Sequence, residues 1–283
     1  MEGTEPTTWE DPSLVQIWGP RYNAYVVAAR DVATFTLGRL PDDAGPRRVA
    51  EDLAARVDAA LGGERMASGR VGRILGGHPS GLRYAAPTGT ILIRWDGARQ
   101  PTIWTVPPPD VDPRKARLEL ARRYLHIFGP ATPESFAGWA GIAGTSGLAA
   151  FNALQKSLTK VLTPIGEAWI LARDEPVFRA TPGPVAPARL LPSGDTYFLL
   201  QGDDRELLVP KADRRRELWT PRVWPGAVLV GGEIVGIWRR SQGIVTIKTW
   251  RRLSRAERDA VATEAVSLPL PDVRGQIVTR WDD

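Results

Sequence analysis

The spacing of apolar residues in the first hundred positions predicts helices followed by a hairpin. A stripe that repeats every three to four residues is typical of one buried helix face, and Gly62-Gly63 is expected to end that helix. The stripe consists of Val49, Leu53, Val57, Ala60 and Leu61. Short apolar runs predict strands, with a tight turn at Asp96-Gly97 between the last two. The other predicted elements are helices over 29–40 and 68–75 and strands over 15–18, 25–28, 81–86, 91–95 and 102–106. Helices followed by a twisted hairpin are the order of a winged helix.

A second block shows this order more clearly. Thr132 is a typical helix cap, because Pro133 and Glu134 follow it in the first turn. The predicted elements are a helix over 113–128, a helix from Thr132 to Ala140, a helix from Thr145 or Ser146 to Leu158, and a strand over 168–172. Three helices, the last two joined by a short turn, and a strand indicate helix-turn-helix topology.

Two proline-rich segments, 107–113 and 176–187, divide the chain into blocks. Proline fixes its own φ and disfavours helix in the preceding residue, so both segments are predicted linkers. The predicted domains are 1–106, 114–175 and 188–283, and the third has predicted strands over 197–200, 227–230, 234–239 and 244–250 and a helix over 254–267. The predicted fold class is therefore α+β, with tandem winged-helix modules (helix-turn-helix plus β-wing) followed by a small β-rich C-terminal domain.

The amino-acid composition limits the kinds of chemical site that the protein can contain. The 283 residues include no cysteine and only two histidines, so disulfides and thiolate sites are excluded and histidine metal sites are disfavoured. We therefore predict no metal and no cofactor. Basic residues number 37, of which 32 are arginine, against 32 acidic residues, and this excess favours polyanionic partners.

The same pattern gives no sign of a membrane protein. No segment reaches the roughly 18–20 apolar residues that span a bilayer. The N-terminus has neither the basic start nor the apolar run of a signal peptide. We therefore predict a cytoplasmic protein with no membrane partner, and we expect it to be a monomer.

Several short motifs occur in an order that resembles the AlkZ/YcaQ-like winged-helix family. They are LELARRYL at 118–125, GPAT at 129–132, Phe136 with Trp139-Ala140-Gly141, ARLLP at 188–192 and VLVGGEIVGIWRR at 228–240. Near the front, WEDPSLV at 9–15 and WGPR at 18–21 resemble the strand that leads out of the family's first winged helix. The resemblance implies winged helices and a β-domain that cradle duplex DNA, with residues 1–106 holding the remnant of a first winged helix and a complete second one. It also implies a link to DNA repair, because the family includes bacterial DNA glycosylases that remove alkylated bases or open interstrand crosslinks.

The resemblance further implies a catalytic Gln-apolar-Gln or Gln-apolar-Asp motif near the N-terminus, which this sequence does not contain. Gln201-Gly202-Asp203 has the second spacing, but it lies in the third block and has glycine in the middle. Tyr25 stands where the family has a histidine, and Asp195 matches a family acidic position that a structural turn explains equally well. Either the start codon is placed too late or this member lacks the catalytic segment. We assign no catalytic residue.

Candidate DNA contacts fall into two polar sets. Lysine and amide side chains on a helix in the major groove reach phosphates and base edges, and arginines on a wing reach phosphates or the minor groove. The first set lies on the third helix of the second block and consists of Asn152, Gln155, Lys156 and Lys160. The second set lies around the short helix and hairpin of the first block and consists of Arg65, Arg70, Arg73, Arg83, Arg94 and Arg99. A solvated surface would explain both sets as well as DNA binding does.

Three functions are compatible with these observations. We prefer a protein that binds double-stranded DNA through winged helices and is linked to DNA repair. The first alternative is a DNA glycosylase that excises alkylated or crosslinked bases and whose catalytic segment was lost with a misplaced start codon. The second alternative uses the winged helices for contacts with other proteins.

Overall fold

The computed structural model describes residues 8–95, 100–164, 166–181, 183–199, 205–270, 273 and 275–282. The chain divides into two compact units, of which the first ends at Arg179 and the second begins at Ala180. No helix in the described ranges is long and apolar enough to cross a bilayer.

The first unit combines helices with two antiparallel sheets. Its helices are α1 (Val32–Phe35), α2 (Ala44–Leu61), α3 (Ser68–Ile74), α4 (Pro113–Phe128), α5 (Pro133–Ala140), α6 (Gly144–Leu154) and α7 (Glu175–Arg179). Its strands are β1 (Leu14–Trp18), β2 (Ala24–Ala28), β3 (Met66–Ala67), β4 (Ile91–Arg94), β5 (Thr102–Thr105), β6 (Leu158–Thr163) and β7 (Gly166–Leu171). Five strands form one sheet in the order β2-β1-β4-β5-β3, and β6 pairs with β7 alone. The predicted mixture of helices and sheets is confirmed.

One face of the five-stranded sheet packs against α2 and α3. The fully buried residues of this core are Val57, Leu61, Val71, Ile91, Ile93 and Ile103. Gly62 ends α2 in the left-handed conformation, as predicted, because glycine adopts a positive φ without steric cost. The predicted stripe is wrong at Val49, which is 65% exposed, since the buried side of α2 continues through Ala50 and Ala54.

Two other predicted elements of this region differ from the structure. Residues 81–86 do not form a strand, because Pro79–Thr88 is a 3-10 helix whose buried residues Leu82, Ala85 and Ala86 follow a helical spacing. The predicted helix over 29–40 is broken into α1 and a 3-10 turn on either side of it. The predicted turn at Asp96-Gly97 lies outside the described residues.

Helices α4, α5 and α6 pack around aromatic side chains. The ring centroid of Tyr124 on α4 lies 5.4 Å from that of Phe136 and 5.0 Å from that of Trp139, both on α5. The Phe136 ring lies 6.1 Å from that of Phe151 on α6. The predicted bounds of α4 are confirmed, and Thr132 caps α5 as expected, with Ser135 completing a reciprocal capping box.

The third helix of this group is shorter than predicted. Neither predicted cap is used, because Ala143 precedes the first turn of α6 and makes no side-chain hydrogen bond there. The helix ends at Leu154 rather than at Leu158, and Leu158 begins β6. Threonine and valine in the segment after Leu158 favour a strand, and tertiary pairing with β7 fixes it.

The second unit is a five-stranded sheet with a helix on one face. Its helices are α8 (Arg205–Leu208), α9 (Ala212–Leu218) and α10 (Arg255–Val266), and its strands are β8 (Ala188–Leu191), β9 (Gly226–Val230), β10 (Glu233–Ser241), β11 (Ile244–Thr249) and β12 (Val278–Trp281). The order is β12-β11-β10-β9-β8, with β12 parallel to β11 and the other pairs antiparallel. Val261 and Ala265 of α10 are buried against the sheet.

The strand predicted over 197–200 is wrong. Thr196–Phe198 forms a 3-10 turn, and the carboxylate of Asp195 accepts a hydrogen bond from the backbone N–H of Tyr197 at 2.8 Å. This contact gives Asp195 the structural role of a cap. Phe198 is fully buried in the same core as Leu218 of α9, whereas Tyr197 is exposed.

A buried arginine ties α4 to the rest of the first unit. Arg117 is 5% exposed, and its Nε donates to the carbonyl of Gly38 at 3.0 Å. Its other nitrogens donate to the carbonyl of Leu40 and to the carboxylate of Asp42. Ser146 of α6 donates to the same carboxylate at 2.6 Å. These five residues, called the Arg117 network below, join the segment before α2 to α4 and α6.

The Arg117 network predicts a contribution to stability that depends on pH. The hydrogen bond from Arg117 lowers the pKa of Asp42 below its ordinary value of 3.8, and the bond from Ser146 acts in the same direction against the effect of burial. A carboxyl group with a lowered folded-state pKa stabilises the protein fully above the unfolded pKa, and this contribution is lost as the pH falls through the folded value. We expect Asp42→Asn to unfold at lower urea concentration than the wild type at pH 7 and the gap to narrow below about pH 4. Urea unfolding at pH 7, 5, 4 and 3 measures it, and a gap that stays constant contradicts the assignment.

Candidate nucleic-acid interface

A short turn joins α5 to α6 at a close crossing. Gly141 ends α5 with a φ of 72°, and α6 begins at Gly144. A Cβ atom added to Gly147 on α6 would lie 2.7 Å from the carbonyl oxygen of Pro133 and 2.9 Å from the Cβ of Ala137. The glycine therefore lets the two helices approach at this point. The predicted order of two helices joined by a short turn is present.

The C-terminal end of α6 carries an exposed polar surface. Asn152 is exposed on the last turn of the helix, opposite the buried residues Phe151 and Leu154. Gln155 and Lys156 are exposed on the 3-10 turn that follows α6. The structure therefore brings three of the four predicted residues of this set together at the end of the helix.

Lys160 does not lie on the helix, contrary to the prediction. It lies on β6, because α6 ends at Leu154, and it is paired in register with Trp169 of β7. Its Nζ forms an ion pair at 2.6 Å with the carboxylate of Glu167. The charge of Lys160 is therefore partly offset, whereas Lys156 forms no hydrogen bond or ion pair with another residue in the part of the chain that the structure describes.

The far end of the β6–β7 pair carries an exposed apolar residue. Leu162 is 85% exposed, although leucine is usually buried. It lies on β6 opposite Glu167, two positions along from Lys160. An apolar side chain at the end of a two-stranded ribbon has the form of the wedges that some DNA-binding proteins place in the minor groove.

The arginines of the first block occupy different environments. Arg70 and Arg73 are exposed on α3, one turn apart. The Arg65 guanidinium lies 4.4 Å from the ring centroid of Trp104, so an aromatic face orients it. Arg94 forms an ion pair at 3.2 Å with Glu10, which offsets part of its charge. Arg99 lies outside the described residues.

Arg83 differs from these four because it is half-buried. Its guanidinium carbon lies 5.6 Å from the ring centroid of Tyr84 and 6.0 Å from that of Tyr22. The five predicted arginines that the structure describes therefore differ in exposure and in pairing. Arg65, Arg70 and Arg73 remain the solvent-facing members near α3.

The succession of elements and motifs over most of the chain corresponds to a known family. The model of the DNA glycosylase AlkZ-like family matches residues 4–268. The chain belongs to this family. The resemblance found in the sequence is thereby confirmed.

The chain is also similar to a curated protein and to a solved structure. The interstrand DNA cross-link repair glycosylase of Streptomyces sahachiroi is 27% identical over 158 residues, which cover 54% of this chain and 42% of that protein. The chain thus matches less than half the length of this curated relative. The solved structure of the Streptomyces sahachiroi DNA glycosylase AlkZ gives a TM-score of 0.75 at 19% identity, covering 96% of this chain and 82% of that one. At this identity the likeness shows a common fold.

Both histidines of this family member are exposed. His126 lies 2.9 Å from the carboxylate of Asp174 on the exposed surface, and His78 contacts Ser80 at the start of the 3-10 helix. Asp195 caps a turn, as described above. Across the described ranges, no three histidine or acidic side chains are grouped as a metal site would require.

A buried arginine near the tip of the β1–β2 hairpin was missed by sequence reasoning. Arg39 is 2% exposed, and its Nε and Nη1 donate to the carbonyls of Ala140 at 2.8 Å and of Trp18 at 3.1 Å. Burial lowers the pKa of Arg39 to about 10, so the group stays charged at neutral pH. Burial also raises the pKa of the nearby Tyr25 phenol, an effect that Arg39 and Arg21 oppose. Nothing in the sequence around Arg39 marks it, because its partners come from distant segments.

Proposed function

We propose that the chain binds double-stranded DNA through winged-helix modules and acts in DNA repair. The observation that carries the proposal is the α5-turn-α6 arrangement followed by the β6–β7 ribbon, with Asn152, Gln155 and Lys156 exposed at the end of α6. In a helix-turn-helix protein the second helix enters the major groove, and the strands that follow it form the wing. Family membership supports a duplex as the partner.

In this proposal Lys156 contacts a phosphate and the two amides lie within reach of phosphates or base edges. A lysine contributes mainly a point charge, which is independent of sequence, whereas an amide can pair with the edge of adenine. Lys160 contributes less, because Glu167 already holds its ammonium group. Leu162 adds an apolar contact from the ribbon to the minor groove.

The test is the salt dependence of duplex affinity. Each phosphate contact releases counterions from the DNA. We therefore expect the logarithm of the association constant to fall linearly with the logarithm of the salt concentration, with a slope of about −0.9 per contact. We expect Lys156→Ala to reduce the magnitude of this slope by about 0.9, which corresponds to one phosphate contact, and Lys160→Ala to reduce it less. Fluorescence anisotropy with a labelled duplex of about 20 base pairs, at several KCl concentrations, measures both effects.

Lys115→Ala is the matched control, since it removes one exposed lysine from α4 rather than from the proposed interface. We expect the slope of this variant to equal that of the wild type. An isotherm that does not change with salt would remove DNA binding as the function and favour the alternative in which these modules contact proteins.

Excision of alkylated or crosslinked bases is the second candidate function. Membership of a DNA glycosylase family favours it. Incubation with an alkylated duplex, followed by alkaline cleavage at abasic sites, separates the two functions. More strand breaks than in undamaged duplex would show that the protein excises bases as well as binding DNA. If no such excess is found, DNA binding is the only one of the two functions that remains.

A further inference from the structure

Three arginines lie near the tip of the β1–β2 hairpin in the first unit. Arg39 lies with its guanidinium carbon 4.7 Å from the ring centroid of Tyr22, and that of Arg83 lies 6.0 Å from the same centroid. Arg21 precedes Tyr22 in the chain, and the charges of Arg39 and Arg21 both act to lower the pKa of the Tyr25 phenol against the effect of burial. We call Arg21, Arg39 and Arg83 the arginine cluster.

Each member of the arginine cluster has a buried nitrogen without a partner. These atoms are Nη1 of Arg21, Nη2 of Arg39 and Nε of Arg83. In the described ranges no carboxylate lies within 4.0 Å of any of the three guanidinium groups. Arg117 and Arg123, by contrast, are paired with Asp42 and Asp31. A buried N–H donor without an acceptor is unfavourable in a folded protein, so these three nitrogen atoms point to a partner that the chain itself does not supply.

The backbone beside the arginine cluster is held in an uncommon conformation. Arg21 and Tyr22 have φ values of 55° and 58°, in the left-handed region that non-glycine residues avoid. The hairpin tip is closed by hydrogen bonds of 2.9 Å from the N–H of Tyr22 to the carbonyl of Gly19 and from the N–H of Gly19 to the carbonyl of Asn23. Backbone strain of this kind occurs where the surrounding structure positions a functional group.

The arginine cluster lies next to the protein surface. Tyr84 is 48% exposed and meets the Tyr22 ring edge to face, with the centroids 4.9 Å apart. Asn23, the next residue after Tyr22, is also exposed. The Arg83 guanidinium, which lies against both tyrosine rings, is therefore next to a solvent-exposed side chain.

We propose that the arginine cluster binds a phosphate group. Three guanidinium groups offer several N–H donors and an uncompensated positive charge, and guanidinium groups pair with phosphate oxygens in a fork geometry. The phosphate is that of a DNA strand, so the source of the ligand rests on the proposed function, whereas the anion site itself does not. A free phosphate or a mononucleotide carries the same chemistry, and the experiment separates these sources.

The first measurement uses inorganic phosphate alone as the probe. We expect sodium phosphate to raise the melting temperature of the wild type relative to sodium chloride at equal ionic strength, because a ligand that binds the folded state stabilises it. Arg21→Gln and Arg83→Gln should lose most of this rise. Arg48→Gln, which removes an exposed arginine on α2, is the matched control and should keep it. Arg83→Lys keeps the positive charge but not the paired N–H donors of the guanidinium, and it should show part of the rise. This second variant tests the site even if Arg83→Gln folds poorly.

The second measurement repeats the salt titration of duplex binding with the same variants. We expect Arg21→Gln or Arg83→Gln to reduce the magnitude of the slope by about 0.9 and Arg48→Gln to leave it unchanged. If the cluster variants lose the phosphate-induced rise in melting temperature but keep the wild-type salt slope of duplex binding, the anion site stands and its ligand is not the phosphate of a DNA strand. A phosphate effect in a wild type that does not bind duplex overturns the proposed function and keeps the site. Equal responses to phosphate in the cluster variants and in Arg48→Gln overturn the site.

Discussion

Arg117→Met is expected to lower the free energy of unfolding by about 3–5 kcal/mol, because two carbonyls in the protein interior lose their donor and Asp42 loses its cationic partner. The substitution removes three N–H donors of the Arg117 guanidinium, which bind the carbonyls of Gly38 and Leu40 and the carboxylate of Asp42. The two carbonyls then lie in the protein interior without a donor, and each such loss costs about 1–3 kcal/mol. Asp42 keeps the bond from Ser146 and partial contact with solvent, so its share is the smaller one.

Lys115→Met on the same helix is the control for this change. It removes the same charge and introduces the same side chain, but Lys115 is exposed, and its side chain has no role in the capping of α4 by Asp112. We expect a change within about 0.5 kcal/mol, as for most surface substitutions. Urea unfolding at pH 7 compares the two variants. Equal losses in both would mean that Arg117 is not the residue that holds the segment before α2 against α4.

The position of the two buried arginines could not be predicted from the sequence. Arginine is almost never buried without a partner, so Arg39 and Arg117 are naturally interpreted as surface residues. Their acceptors are mainly backbone carbonyls, and the carbonyl that Arg39 binds on Ala140 lies 101 positions away in the chain. A backbone carbonyl leaves no residue-type signal, so only the tertiary structure reveals such a bond.

The error at the end of α6 has a different cause. Leu154 and Leu158 are four positions apart, a spacing that fits one face of a continuing helix. The segment after Leu158 pairs instead with β7, and pairing between strands is a tertiary contact that local periodicity does not contain. This difference changes the candidate interface. Lys160 lies on the β6–β7 ribbon rather than on the helix, and Lys156 is the exposed lysine at the end of α6.

The capped helices and the paired strands were predictable because their signals are local. Thr132 with Pro133 placed the start of α5, and glycine placed its end. The short apolar runs in β4 and in β10 placed these strands within a few residues of their observed bounds. The candidate site was predictable only as far as it lies on such elements, whereas the arginine cluster depends on how distant segments meet.

Gly147→Ala is expected to destabilise the first unit by about 1–3 kcal/mol, the usual cost of overpacking a tightly packed contact. The new methyl group would meet the backbone carbonyl oxygen of Pro133 at 2.7 Å and the Cβ of Ala137 at 2.9 Å. Neither atom can rotate away, because one belongs to the backbone of α5 and the other is fixed to it. Helix α6 must therefore move as a whole, and Asn152 and Lys156 move with it. We expect duplex affinity to fall together with stability.

Gly138→Ala is the matched control on the neighbouring helix α5. A Cβ added at Gly138 would have no heavy atom within 4 Å, so the only change is the lower backbone entropy of the unfolded chain. We expect this variant to gain about 0.4–1 kcal/mol in stability and to bind duplex as the wild type does. Thermal unfolding and anisotropy on both variants give two independent comparisons. If Gly147→Ala lost stability but bound duplex normally, the α5–α6 crossing would be a packing feature only, and the proposed interface would have to lie on the arginines near α3 instead.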